Sequence, residues 1–309
     1  MKRHGAPAAS AAAALAAILF GASVVAIRIA VRDIPPLTLA VLRFGQGSIV
    51  LFVALVSFRR DLLRIDRHDL PYLALLGIIF YTIFPVTFNA GMRYIEASRA
   101  ALLLATMPLW TVVIARIVVG ERLTRRQIAG VILSISGVAI VVVDRHAITD
   151  GTLSSAKGDL LLLATALCGA VYNVLAKRML GRYAGLTVTV YAMAIGTLLL
   201  VPASLLERAP SVAALDGETV SMVIFVGVFG GALAFSLWTS ALSRLSPTQV
   251  SVFINLNPMA ATLLGATVLH ERLSIFFAVG FAAVVAGVMF VNWTVRDNDA
   301  SRPLPLQAE

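Results

Sequence analysis

The chain contains one cysteine in 309 residues, Cys168, and it lies inside an apolar run, so neither a disulfide nor a thiolate metal site can be assembled. Charge is scarce too, at 13% against about 25% in an ordinary soluble domain. The histidines His4, His68, His146 and His270 all fall at helix ends or in connections, which excludes a metal cluster by spacing and any Ser–His–Asp arrangement. There is no Walker A sequence, hence no ATP drive, and no cofactor is expected. No acidic residue stands in the middle of an apolar span, which argues against a relay of buried carboxylates.

What is present in excess is apolar surface. Hydrophobic residues make up 59% of the chain, against roughly 45–50% in soluble domains, and lipid must solvate the surplus. About 20 apolar residues span a bilayer core. Windows of that kind run near 11–31, 36–58, 70–92, 98–119, 125–143, 158–180, 185–206, 219–242, 247–269 and 274–294, which predicts an all-α membrane protein of ten helices. The longest connections, such as DRHAITDGTLSSAKGD and LERAPSVAALDGE, leave no room for a soluble domain, so the work is expected within the bilayer. The net charge of +9 and pI near 10.4 do not point to nucleic acid, because the basic residues sit singly at helix ends, where Lys and Arg set topology.

A shift of 150 residues places Pro108 on Pro258, Glu121 on Glu271, Arg122 on Arg272, Gly130 on Gly280 and Gly137 on Gly287, without a gap. The same shift pairs Gly77 with Gly227 and, more weakly, Arg28 with Arg178. The chain therefore reads as two five-helix repeats, 1–147 and 156–295, followed by a tail at 296–309. The start, MKRHGAPAASAAAALAAILFGA, resembles a signal peptide, but it is the counterpart of the sixth helix and is read as the first. Five helices per half force the second half into the opposite orientation. With the N-terminus inside, roughly two basic residues face the cytoplasm for each one outside, including Arg59, Arg60, Arg64 and Arg67 against Arg28, Arg32, Arg93 and Arg99. Both termini and the tail are thus expected in the cytoplasm. Inverted repeats of this kind point to transporters with a substrate site near the midplane.

The two charged knots, GERLTRRQIAG and HERLSIFFAVG, read as helix punctuation. Thr124 with Gln127 has capping-box spacing, and Ser274 is the equivalent N-cap. Glu121, Arg122, Glu271 and Arg272 are expected to brace turns, and Gly130, Gly137, Gly280 and Gly287 to let the fifth and tenth helices pack closely. Pro85, Pro108 and Pro258 fall inside the third, fourth and ninth helices, where each frees the carbonyl four residues back: Tyr81, Leu104 and Ile254. Such breaks persist where neighbours or a water-filled cavity satisfy the freed group.

Candidate cavity residues are the polar and aromatic side chains at depth: Asn89, Thr106, Trp110, Thr111, Tyr172, Asn173, Trp238, Thr239, Gln249, Asn255 and Asn257. Asn255 and Asn257 are about 200° apart on a helix, so one of them faces the cavity. Arg43 lies seven residues inside Pro36, about 11 Å along its helix. It either snorkels to the headgroups or turns into the bundle, and Gly45 and Gly47 favour the interior.

PLTLAVLRF around Arg43, NAGMRYIEASRAALLLATMPLW and GERLTRRQIAGVILSISGV resemble the EamA family of the drug/metabolite transporter superfamily, and LSRLSPTQVSVFINLNP with HERLSIFFAVGFAAVVAGV resembles it again in the second half. The resemblance implies a multi-pass inner-membrane protein with a central cavity lined by the third, fourth, eighth and ninth helices. It carries over to Arg43, Pro108, Glu121, Gly130 and Gly137, and to Pro258, Glu271, Gly280 and Gly287. The first helix departs from it, with Ala22 and no aromatic in LFGASVVAIR where such sequences often carry Trp-Gly. The expected function is secondary-active export of a small amphipathic metabolite, an amino acid or a drug-like compound, with the lipid bilayer and a small-molecule substrate as the partners. Uptake is the alternative within that class. A membrane-embedded enzyme or lipid-handling protein is the alternative outside it, and would need a reactive cluster that this sequence lacks.

Overall fold

The computed structural model describes residues 6–119, 125–143, 152–208, 215–242, 253, 256–271 and 273–300. Glu121, Arg122, Gln249, Asn255 and Arg272 lie outside the described residues.

Helices make up nearly all of this structure. In chain order α1 is Ala6–Ala30 and α2 is Pro36–Phe58; α3 joins Leu70–Gly77, a π-helical Ile78–Ile83 and Phe84–Gly91. α4 is broken into Ala97–Leu104 and Met107–Val119, α5 is Arg125–Val143, α6 is Thr152–Leu180 and α7 is Gly185–Ser204. α8 joins Gly217–Ile224, a π-helical Phe225–Leu233 and Ala234–Leu242; α9 is Leu256–Val268 and α10 is Ile275–Ala300. α10 thus runs five residues past the boundary at 295 that the repeat suggests. Among the described residues six segments are long and apolar enough to cross a membrane, and Ile128–Ile140, Leu256–Val268 and Ile275–Gly287 are shorter apolar helices.

The helix starts follow from local chemistry. Pro36 stands at the head of α2, where its missing N–H costs nothing. The Asp216 carboxylate accepts from Thr219 N at 2.7 Å and the Ser274 hydroxyl from Phe277 N at 2.9 Å, capping α8 and α10. Ile49, Phe52, Val53, Leu160, Leu198 and Leu199 turn large apolar side chains outward, as lipid-facing positions do.

α1 packs on α8 and α9, whereas α6 packs on α3 and α4, so the first helix of each half lies against the other half. α2 lies beside α7, and α5 pairs with α10. Contacts recur at the 150-residue shift. A Cβ at Gly77 would stand 2.5 Å from Ala192 O and 3.0 Å from Gly196 N, and Gly227 takes the matching place, 2.8 Å from Gln46. Asp69 at the head of α3 accepts from Arg182 and Tyr183, and Thr219 at the head of α8 donates to Asp33 at 2.8 Å. The π-helical stretches also correspond, 78–83 with 225–233. Single π-turns widen a helix and concentrate at functional sites.

Candidate functional site

Aromatic side chains from five helices interlock in the interior. Phe80 of α3 stacks on Tyr172 of α6 at 4.3 Å, Tyr81 meets Phe44 of α2 edge-on at 5.3 Å, and both α3 rings contact Phe235 of α8, at 6.4 and 6.2 Å. Phe20 of α1 closes the set, 5.1 Å from Phe235 and 6.2 Å from Trp238. Phe80 and Tyr81 come from one π-turn and Phe235 follows the other, so the widened turns aim these rings inward. Phe20, Phe80, Tyr172, Phe235 and Trp238 are half-buried, whereas Tyr81 and Phe44 are fully enclosed.

Arg43 lies at the edge of this cluster. It is 7% exposed, its guanidinium carbon sits 4.7 Å from the Phe44 ring centroid, and Nε has no hydrogen-bond partner. It therefore lies in the bundle and not at the headgroups. The buried Ser48 Oγ and Thr197 Oγ1 are also without partners among the described residues, and the buried Tyr81 OH lies beside the hydroxyls of Tyr172 and Thr189.

The other sequence-predicted residues take three kinds of place. Asn89 is fully buried and donates to Pro36 O at 3.0 Å, tying the end of α3 to the start of α2. Thr106 occupies the break in α4 and donates to Leu103 O at 2.6 Å, two residues before Pro108; Trp110 follows with a buried indole N–H that has no partner. Asn257 and Pro258 open α9, and the Asn257 Oδ1 is buried without a partner. Asn173 is exposed and reaches the Met107 sulfur at 3.7 Å. Pro85 is buried two residues past the π-turn, next to Phe84, whose N–H reaches back to Ile79 O, five residues earlier. The register before Pro85 is thus that of a π-helix, which shifts the pairing that an α-helical reading of the Tyr81 carbonyl assumes. Gly137 meets Gly280 O, where a Cβ would stand 2.6 Å away; Gly130 and Gly287 are buried in the same α5–α10 pair.

Glu271 has a wider reach than a turn brace. Its carboxylate accepts from Ala97 N at 2.7 Å, Ser98 N at 3.1 Å and Ser98 Oγ at 2.6 Å, capping α4 across the molecule. His270, at φ 53°, makes the left-handed turn that brings it there, with Glu271 N–H bonded to Gly265 O. Glu207 does the same for α2, accepting from Leu37 N, Thr38 N and Thr38 Oγ1 at 2.7–3.1 Å. Arg28 donates to Met92 O and Arg93 to Ile34 O at this same end. Burial, and then the neighbouring Glu271 charge, push the Glu96 carboxyl above its ordinary range. At the opposite end Thr187 and Tyr191 donate to Leu62 O and Leu63 O. Among the described residues no three His, Cys, Asp or Glu gather as a metal ion needs.

Phe20, Phe80, Tyr81 and Phe235 are the interior residues that polarity-based reading of the sequence misses. The available signal is the run Phe80, Phe84, Phe88 at intervals of four, one face of a helix rich in rings.

Residues 8–143 and 156–293 match the sequence model of the EamA-like transporter family. An "uncharacterized transporter" of Archaeoglobus fulgidus is 30% identical over 89% of this chain and 94% of its own. A "probable terminal-alkyne amino-acid exporter" of Streptantibioticus cattleyicolor is 30% identical over 94% and 95%. The uncharacterized transporter YyaM of Bacillus subtilis is 27% identical over 84% and 86%. A solved crystal structure superposes with a TM-score of 0.66 at 21% identity, covering 94% of this chain and 99% of the other, and so shares its fold.

Proposed function

The chain belongs to the EamA-like transporter family, and on that premise we propose that it is a secondary-active exporter of a small amphipathic metabolite, working by alternating access between two inverted five-helix halves. The recurrence of contacts at the 150-residue shift carries this reading: Gly77 on Gly196 and Gly227 on Gln46, Asp69 with Tyr183 and Thr219 with Asp33. Two halves that make equivalent contacts with their ends reversed have two conformations of comparable energy, and exchange between them moves a central site from one face to the other. The name of the Streptantibioticus relative supports export and an amino-acid-like solute. In this reading the chain is not an enzyme, and the substrate is its partner beside the lipid.

The end that carries residues 31–38, 92–98 and 271 is the external one, by the arginine count. Glu271 and Glu207 tie the two halves together there and, with Arg28, Arg93 and Asn89 bracing the first half at the same end, form the outer gate. A cysteine at Ser211, outside the described residues, is expected to react with an impermeant maleimide on intact cells. Labelling only after permeabilisation overturns the orientation.

Metabolite profiling of cells lacking and overproducing the protein should identify a solute whose external level follows its abundance. Thr38→Cys with Glu207→Cys, bridged by a short thiol cross-linker, should abolish that difference, and reductive release should restore it. Undiminished export with the outer gate bridged rules out alternating access.

A further inference from the structure

We infer that the Arg43–Tyr81 corner of the aromatic interior is the recognition site for an organic monoanion, an acidic group carried on an apolar or ring-bearing body, and not for a zwitterion. This rests on the transport reading above, and within it selects an acidic amphipathic solute in place of the amino-acid-like one that the relative's name suggests.

The argument begins with charge balance. Insertion scales put an Arg at a helix centre at about 2.5–3.5 kcal/mol, a cost that is met by a counter-charge or by hydrogen bonds. Arg99, the other arginine buried to a similar degree, has its counter-charge, because Asp159 accepts from Nε at 2.8 Å and from an Nη at 2.6 Å. Arg43 has the Phe44 ring face, and no carboxylate among the described residues lies against it. The cation is preorganised, and no counter-charge among the described residues meets it.

The surrounding polar groups point to an acceptor. Arg43 Nε–H is a donor only, and the buried Tyr81 hydroxyl on the neighbouring π-turn, beside Tyr172 and Thr189, can turn its proton to an incoming acceptor. An ionised carboxylate offers acceptor sites alone, so one oxyanion can satisfy both. The ring cluster explains the rest of the ligand: Phe80, Tyr172 and Phe235 keep part of their surface open beside Tyr81, an apolar wall for an apolar body. An ammonium group finds no such match. Among the described residues the buried acids of the membrane-spanning segments are Asp159, already held by Arg99, and Asp69, already held by Arg182 and Tyr183, so an ammonium at this corner would meet ring faces, which are worth less than an ion pair. The site is also one-sided. The residues at the 150-residue shift from Arg43 and Tyr81 are Met193 and Gly231, so the second half brings no competing cation.

The test is equilibrium binding to the full-length protein in lipid nanodiscs, read as a thermal shift and by calorimetry. The probes share one ring and differ in charge: 3-phenylpropionate, phenylalanine, 3-phenylpropanol and phenethylamine. The wild type should bind 3-phenylpropionate at least tenfold more tightly than the other three. Arg43→Gln should remove that preference and leave 3-phenylpropionate no better than 3-phenylpropanol, while Tyr81→Phe should weaken 3-phenylpropionate about tenfold and leave 3-phenylpropanol unchanged. Should Arg43→Gln not fold, Tyr81→Phe decides alone. Equal binding of 3-phenylpropionate and 3-phenylpropanol, tighter binding of phenylalanine, no binding of any probe, or a Tyr81→Phe variant that treats all four as the wild type does, each overturns the inference. Because the readout is binding, loss of the export phenotype with the anion preference intact counts against the transport reading alone.

Discussion

Replacing Asp159 with alanine is expected to destabilise the protein by about 3–5 kcal/mol, the cost of breaking one side of a buried ion pair. Arg99 and Asp159 are 4% and 5% exposed, and two parallel hydrogen bonds of 2.8 and 2.6 Å join them, pinning the start of α4 to α6. Removing the carboxylate leaves a guanidinium where neither water nor lipid can solvate it. The pair itself is worth much less than its breakage, because both charges were desolvated to form it. Arg99→Met combined with Asp159→Leu should therefore recover most of the loss. Unfolding in mixed micelles across the two single variants and the double variant checks this. A double variant as unstable as Asp159→Ala would show that shape or a further partner of Arg99, and not charge compensation, sets the stability.

Glu271→Ala should have the second large effect, on conformation more than on stability. The three bonds to Ala97 and Ser98 are charge-assisted and sit at a helix N-terminus, where losing a cap costs about 0.5–2 kcal/mol. That loss falls on the closed outer gate alone if the gate opens, so the open population should rise on the order of tenfold. A cysteine at Ala101, one turn below the cap and 1% exposed, reports it. Its labelling by an external impermeant maleimide should accelerate about tenfold in the Glu271→Ala background, with Glu271→Gln in between. An unchanged rate would mean that Glu271 holds a joint that never opens.

Glu271 also shows how far a sequence reaches. Its place in a turn between two helices is legible from HERLS, since the flanking apolar runs define the turn and Ser274 marks the next helix start. Its partner is not, because Ser98 lies 173 residues away and only packing brings the two together. Arg99 tells the same story: the sequence shows a charge at a helix end, and the structure buries it against Asp159, 60 residues on. Polarity was a poor guide to the interior. Asn89, a cavity candidate by its polarity, is bonded to the Pro36 carbonyl, while Phe20, Phe80, Tyr81 and Phe235, unremarkable in so apolar a chain, come together around Tyr172.

By itself the sequence determined the helical membrane class, the approximate limits of the apolar segments and the repeat at 150 residues, because lipid solvation and capping act on local stretches of chain. Only the tertiary structure decided that α1 and α6 lie against the opposite halves, that two π-turns widen α3 and α8 at matching positions, and which charges are paired. Those outcomes depend on side chains far apart in sequence competing for one interior, where Asp159 answers Arg99 and no acid among the described residues answers Arg43. No local pattern contains that result, because a counter-charge is a property of the packed neighbourhood and not of the segment that carries the arginine.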